Sequence, residues 1–130
     1  MKSYELQTYQ KEVFIDITRS VREAVARSGV NEGIAVVHCP HTTAGILIME
    51  NSDPTVREDT IKAFNQMIPA EEFKHDNFIA HFKAAMAGNS VSLPVFNGQL
   101  KLGTWQAVYF CEFDGPRPRR NYYVTIGKCE

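Results

Sequence analysis

The spacing of hydrophobic positions changes period several times along the chain, and each change marks an element. Tyr4 to Tyr9 alternates polar and apolar residues as a half-buried strand does, and a second short strand covers Val13 to Ile17. From Thr18 the period becomes helical: Val21, Ala24 and Val25 form one face, Thr18 serves as N-cap, and Gly29 stands just past the end. Two β-branched runs follow, Gly33 to Cys39 and Ile46 to Met49, separated by Pro40-His41-Thr42-Thr43-Ala44-Gly45. The proline removes a ladder donor and the glycine relaxes the backbone, so sheet pairing is interrupted where a histidine and two hydroxyls stand.

Asp53-Pro54 is a strong helix start, because the carboxylate accepts from free first-turn amides and proline occupies a position whose N–H is unused. That helix runs to about Met67 with Val56, Thr60, Ile61, Phe64 and Ile68 as its buried stripe, and Pro69 ends it. A third helix begins after Asp76 as N-cap, continues through Phe82, Ala85 and Met86, and ends at Gly88. The last third reads as strand: Ser90 to Val95, a tight Asn97-Gly98 turn, Leu100 to Leu102, a central strand over Ala107 to Phe113, and Tyr122 to Ile126. Between the last two lies a proline-stiffened turn, Asp114 to Arg120.

At 130 residues, 44% hydrophobic and 22% charged, the chain has the size and composition of one domain with one core. A net charge of -1 provides no overall field for nucleic acid or an anionic membrane. The N-terminal stretch lacks the apolar core of a signal peptide, and no run approaches the ~20 apolar residues of a membrane span, so the expected location is the cytoplasm. Cys39, Cys111 and Cys129 are odd in number and form no CxxC pair, which fits reduced, packed thiols.

The candidate chemistry lies in the interruptions. Strand parity sends His38 and His41 to opposite faces, so His38 reads as a core or interface histidine. Within one helix His75 and His81 would stand ~9 Å apart along the axis and ~120° apart around it. With Asp76 as N-cap, His75 is left on a loop free to fold back toward His81. Three histidines from a strand end, a loop and a helix can converge on a transition metal, since imidazole suits zinc, iron, nickel and copper, although the spacing is not an HExxH signature. Glu50 leaves the histidine strand and reads either as a solvated loop acid or as a general base. Thr42 and Thr43 are candidates to orient a substrate. Trp105, between Thr104 and Gln106, reads as core or as part of a site, and Arg117, Arg119 and Arg120 read as a solvated hairpin tip or as a phosphate clamp.

Taken together, His-Thr-Thr-Ala-Gly-Ile at 41–46, Glu-Asn-x-Asp-Pro at 50–54, His-Asp-Asn at 75–77, Ala-His at 80–81, Gly-x-Ser at 88–90, Leu-Gly-Thr-Trp-Gln at 102–106 and Glu-Phe-Asp-Gly-Pro-Arg-x-Arg at 112–119 resemble the YjbQ, or UPF0047, family, often labelled secondary thiamine-phosphate synthase. The resemblance spans nearly the whole chain. It implies a single α+β domain of mainly antiparallel, sandwich-like sheet with about three helices, a homotrimer, and a metal pocket of His41, His75 and His81. One departure is Met49, where the family's segment usually reads Asn-Glu-Asn.

The implied thiamine-phosphate synthesis couples a pyrimidine pyrophosphate to a thiazole phosphate, which calls for magnesium on carboxylates such as Glu50 and Asp53 and for Arg117 and Arg119 on phosphate. Three histidines instead suit zinc with an open position. Three readings therefore stand: the synthase, a metal-dependent hydrolase of a small phosphorylated or acyl metabolite, and a trimeric metabolite-binding protein. On each, Trp105 and Gln106 are candidate substrate contacts.

Overall fold

In the computed structural model, which describes residues 1–129, the chain forms β1 (Lys2–Thr8), β2 (Val13–Asp16), α1 (Thr18–Ser28), β3 (Gly33–His38), β4 (Ala44–Glu50), α2 (Pro54–Gln66), α3 (Phe78–Ala87), β5 (Ser90–Phe96), β6 (Gln99–Leu100), β7 (Gln106–Glu112) and β8 (Arg117–Lys128). Antiparallel pairing gives a five-stranded sheet in the order β1-β8-β3-β5-β6 and a three-stranded sheet in the order β2-β7-β4. The architecture is the expected α+β sandwich. No described helix is long and apolar enough to cross a membrane.

Alternation decides the layers. In β3, Ala35 and Val37 are fully buried and join Val21, Val25, Ile46, Val108, Phe110 and Val124 in a core between the sheets. Their neighbours Ile34 and Val36 face outward, 46% and 37% exposed. β7 is buried on both faces, as its unbroken apolar run predicts. Val108 and Phe110 enter the inter-sheet core, while Ala107, Tyr109 and Cys111 join a second core with Phe14, Ala80, Ala84 and Phe113, against which Ile61 and Phe64 of α2 pack. Cys39 and Cys111 are buried free thiols, and Cys129 is exposed and free.

Several boundaries differ from expectation for physical reasons. Thr18 is the first helical residue and Ile17 holds the cap position; the Thr18 hydroxyl instead accepts from Val108 N at 2.9 Å, tying α1 to β7. Gly29 does close α1 with φ 69. Asp53 caps α2 as expected, accepting from Thr55 N at 2.9 Å, but the stripe of α2 is only half-buried. Asn77 rather than Asp76 takes the cap position of α3, and its side chain donates to Asp114 Oδ2 at 3.0 Å. The arginine turn is mostly strand: β8 begins at Arg117, so Arg119 and Arg120 point to opposite faces. Leu102 lies beyond β6, and Trp105 is 63% exposed rather than core.

One close approach positions the histidine elements. Ile46 N donates to Gly88 O at 3.0 Å where β4 meets the end of α3. A Cβ at Gly45 would lie 2.5 Å from that carbonyl oxygen and 3.3 Å from Ala87 Cβ. Gly45→Ala is therefore expected to force β4 and α3 apart and to cost about 1–3 kcal/mol. Thermal unfolding should show a melting temperature lower by roughly 5–10 °C; an unchanged melt would show that the two elements are not clamped here.

Candidate functional site

The site is built over a buried ion pair. Glu112 at the end of β7 and Arg120 on β8 have side chains 0% and 4% exposed, joined by Arg120 Nε to Oε1 at 2.8 Å and Nη2 to Oε2 at 2.5 Å. The Thr8 hydroxyl donates to Glu112 Oε1 at 2.8 Å and Asp114 N donates to Oε2 at 3.0 Å. Burial pushes the Glu112 carboxyl up, but Arg120 and these donors outweigh it and hold the pKa below its ordinary value. Arg120 Nη2 also donates to Thr43 Oγ1 at 2.9 Å. Thr43 is 5% exposed, and its hydroxyl is thereby occupied in supporting the turn.

His41 sits above this pair. β3 stops at His38, opposite Tyr123 of β8, and His41 Nε2 accepts the Asn121 backbone N–H at 2.8 Å. An amide can donate only to an unprotonated ring nitrogen, so this bond places the proton of neutral His41 on Nδ1. Burial and then the positive charge of Arg120 lower the His41 pKa from 6.5.

His81 on α3 and His41 line one cavity of about 260 Å³ together with Thr42, Ala44 and Asn89. The His75 ring, on the loop before α3, lies 5.1 Å from the His81 ring at 71°. Among the described residues, no hydrogen-bond partner occupies either of these two rings. Their lone pairs suit a transition metal. His41 suits it less well, because a metal-bound histidine ordinarily donates its second N–H, whereas His41 accepts at Nε2 and carries its proton at Nδ1. In this geometry no three His, Cys, Asp or Glu side chains among the described residues form a metal-holding group.

The other candidates fall in different places. Glu50 ends β4, about 20 Å along the strand from Ala44. Its carboxylate accepts from Ser52 N, the Ser52 hydroxyl and Asp53 N, and the Ser52 hydroxyl leads these bonds in holding its pKa down. Gln106 Oε1 accepts from Gly103 N at 2.8 Å, closing the turn that carries Trp105, whose carbonyl accepts from Asn51 N at 2.9 Å. A larger cavity of about 890 Å³ lies there, between α1 and the 102–106 turn, with Arg19 and Arg22 on its wall. Arg117 donates to Asp114 through Nε and Nη2, and Arg119 pairs with Glu5 at 3.4 Å on the outer sheet face. His38 Nδ1 is 2.5 Å from Ser90 Oγ, and its ring lies beside Tyr123.

Two supports have no readable sequence signal. Lys83 of α3, 4% exposed, donates to Glu12 Oε2 at 2.6 Å and Asn65 Oδ1 at 2.5 Å. Asp114 receives Lys11, Asn77 and Arg117, and Lys11 followed by Asn77 draws its pKa well below the usual carboxylate range. Together they fix the start and middle of α3, hence His81. Glu112 and Arg120 were legible only as an end of an apolar strand and a member of a charge run.

A two-sheet sandwich with a histidine cavity between the β3–β4 connection and α3 is thus the class of protein the geometry defines. The UPF0047 protein YjbQ-like family model matches residues 2–128, and the chain belongs to that family. It is 43% identical over 131 residues to UPF0047 protein YugU of Bacillus subtilis, covering 98% of this chain and 99% of that one. It is 44% identical over 126 residues to UPF0047 protein MJ1081 of Methanocaldococcus jannaschii, covering 95% and 91%. A solved YjbQ/UPF0047 family structure from Clostridium acetobutylicum superposes with a TM-score of 0.94 at 48% identity, covering 98% and 100%. A structure from Sulfolobus solfataricus, described as YbjQ-like and of unknown function, gives 0.91 at 32%, covering 96% and 94%.

Because Asp114 has a depressed folded pKa, its contribution to stability is present above its ordinary value of 3.8 and is lost as pH falls through the folded value. Asp114→Asn should lower stability at pH 7 by on the order of 1 kcal/mol, its partners Lys11 and Arg117 being substantially exposed. In urea titrations the gap from wild type should close as pH drops below about 4. A gap that is the same at pH 7 and pH 2.5 would contradict this role.

Proposed function

We propose that the histidine pocket is a hydrolytic site for a small phosphorylated or acyl metabolite. In this reading His75 and His81 hold a divalent transition metal, zinc in the first instance, and His41 acts beside it rather than on it. The observation that carries the reading is the convergence of His41 and His81 on one cavity with the His75 ring 5.1 Å behind. Such an ion supplies Lewis acidity toward water or a substrate oxygen when bound. His41 presents Nδ1–H as a hydrogen-bond donor that stabilises charge developing on a leaving oxygen, its ring held by Asn121 N. Thr42, exposed on the same cavity, orients the substrate through its hydroxyl.

The geometry favours this over thiamine-phosphate synthesis. Magnesium on a departing pyrophosphate needs free carboxylates. Glu112 is committed to Arg120 and Asp114 to Lys11, Asn77 and Arg117, while Glu50 and Asp53 stand at the far end of β4. The purified protein should cleave p-nitrophenyl phosphate or p-nitrophenyl acetate in a chelator-sensitive way. His41→Ala should lower turnover by roughly 100-fold or more, and His81→Ala should lose bound metal. Activity no greater than that of His41→Ala would remove the hydrolase reading, and formation of thiamine phosphate from the two precursors would replace it.

We also propose that the protein works as a homotrimer. Among the described residues no helix covers the outer face of the five-stranded sheet, and Ile34, Val36 and Phe96 are 46%, 37% and 47% exposed there. A second copy would cover these positions. Light scattering at micromolar concentration should give a trimer mass, and Val36→Glu should reduce it to a monomer; a wild-type monomer would end the proposal.

A further inference from the structure

We propose that Arg120 is the anion anchor of the histidine pocket, so that the natural ligand is a phosphate monoester rather than an uncharged acyl compound. The inference rests on the pocket being the site described above, and it names the group that chooses the substrate. Arg120 is 3% exposed, yet its bonds use only two of its three nitrogens: Nε and Nη2 face Glu112, and Nη2 also reaches Thr43. The planar guanidinium puts Nη1 on the edge away from the Glu112 carboxylate. No buried side-chain nitrogen or oxygen among the described residues lacks a partner. Nη1 has none, so it must reach solvent.

Arg120 adjoins the pocket through its neighbours. Asn121, the next residue, donates its amide to His41 Nε2, and Thr43, which takes Nη2, adjoins the cavity-lining Thr42. Arg117 adds a second unused Nη1, since its Nε and Nη2 are taken by Asp114. The positive charges of both arginines act on His41, opposed by the Glu112 carboxylate that pairs with Arg120. A guanidinium already desolvated and held in a fixed plane gives up little hydration or rotamer freedom when an oxyanion arrives. Neutral His41 contributes Nδ1–H to the same oxygens without a competing negative charge. Arg119, which a reading of the sequence pairs with Arg117, cannot share this role because it lies on the opposite face of β8 with Glu5.

Titration calorimetry with inorganic phosphate tests the proposal without any turnover. Arg120→Met alone leaves the Glu112 charge buried and unpaired, so the informative variant is Glu112→Leu with Arg120→Met, which removes both charges. That variant, checked for cooperative melting, should bind phosphate roughly tenfold or more weakly than wild type, while Arg119→Met should bind as wild type does. In wild type, phosphate should also move the NMR signals of the Arg120 guanidinium and the His41 ring, a readout that needs no mutation. Undiminished affinity in the folded double variant, unmoved Arg120 signals, or no phosphate binding at millimolar concentration would each overturn the inference. Phosphate binding that depends on Arg120 in a protein without hydrolase activity would uphold the anchor and defeat the hydrolytic reading. Turnover with phosphate affinity independent of Arg120 would do the reverse.

Discussion

The buried Glu112–Arg120 pair is the constraint on which the rest of the structure depends, because its partners belong to different sheets. Glu112 ends β7 of the three-stranded sheet and Arg120 stands on β8 of the five-stranded one. Removing two ions from water costs several kcal/mol each, and the pair is tolerable only when every lone pair and proton is engaged. Thr8 from β1 and Asp114 N from the following turn engage the Glu112 oxygens, Thr43 from the histidine turn engages Arg120 Nη2, and Nη1 opens to solvent. One end of the sandwich is therefore closed by a charged, hydrogen-bonded plug rather than by apolar packing. The histidine pocket exists because the plug holds the His41–Thr43 segment against β8 instead of letting it continue as strand.

The second half of the pocket comes from α3, a helix whose only fully buried residues are Ala80, Lys83 and Ala84. Two alanines bury too little area to fix a helix at ~25 cal/mol per Å². Polar ties do the rest: Lys83 to Glu12 and Asn65, Asn77 to Asp114, and the approach of Gly45 to the Gly88 carbonyl. His81 is thus positioned by ties at the start, middle and end of its helix, and Asp114, which also holds Arg117, connects α3 to the turn between β7 and β8.

What the sequence revealed follows from which features are local. The Asp53–Pro54 start, the Gly29 stop, the buried run of β7 and the placement of His75 on a loop before His81 depend on neighbouring residues and were readable. Thr18 and Asp76 are good capping residues by composition, but tertiary bonds decided otherwise: Val108 N claimed the Thr18 hydroxyl, and Asn77 moved into the cap position beside Asp114. The arginine run reads as a turn in sequence, while its pairing with β1 makes it strand and sends adjacent arginines to opposite faces. Glu112 was hidden for the opposite reason, as a single acid closing an apolar strand. Its partner lies eight residues away across a turn, a distance that carries no periodic signal.

The separation of the two motif groups limits what one chain can do. β4 carries the histidine turn at its start and Glu50 at its end, and all seven of its residues are in register with β7, from Ala44 opposite Glu112 to Glu50 opposite Gln106. A strand so paired cannot shorten, and folding it back would break its ladder and expose Ile46, which is fully buried. Side-chain movement cannot close a gap of about 20 Å either. Chemistry confined to one chain must therefore use either the histidine end or the Glu50–Trp105 end. A reaction that needs both would have to bring the Glu50 end of one copy to the histidine end of another, which makes assembly geometry, rather than loop motion, the variable that decides between hydrolysis at one pocket and coupling at two.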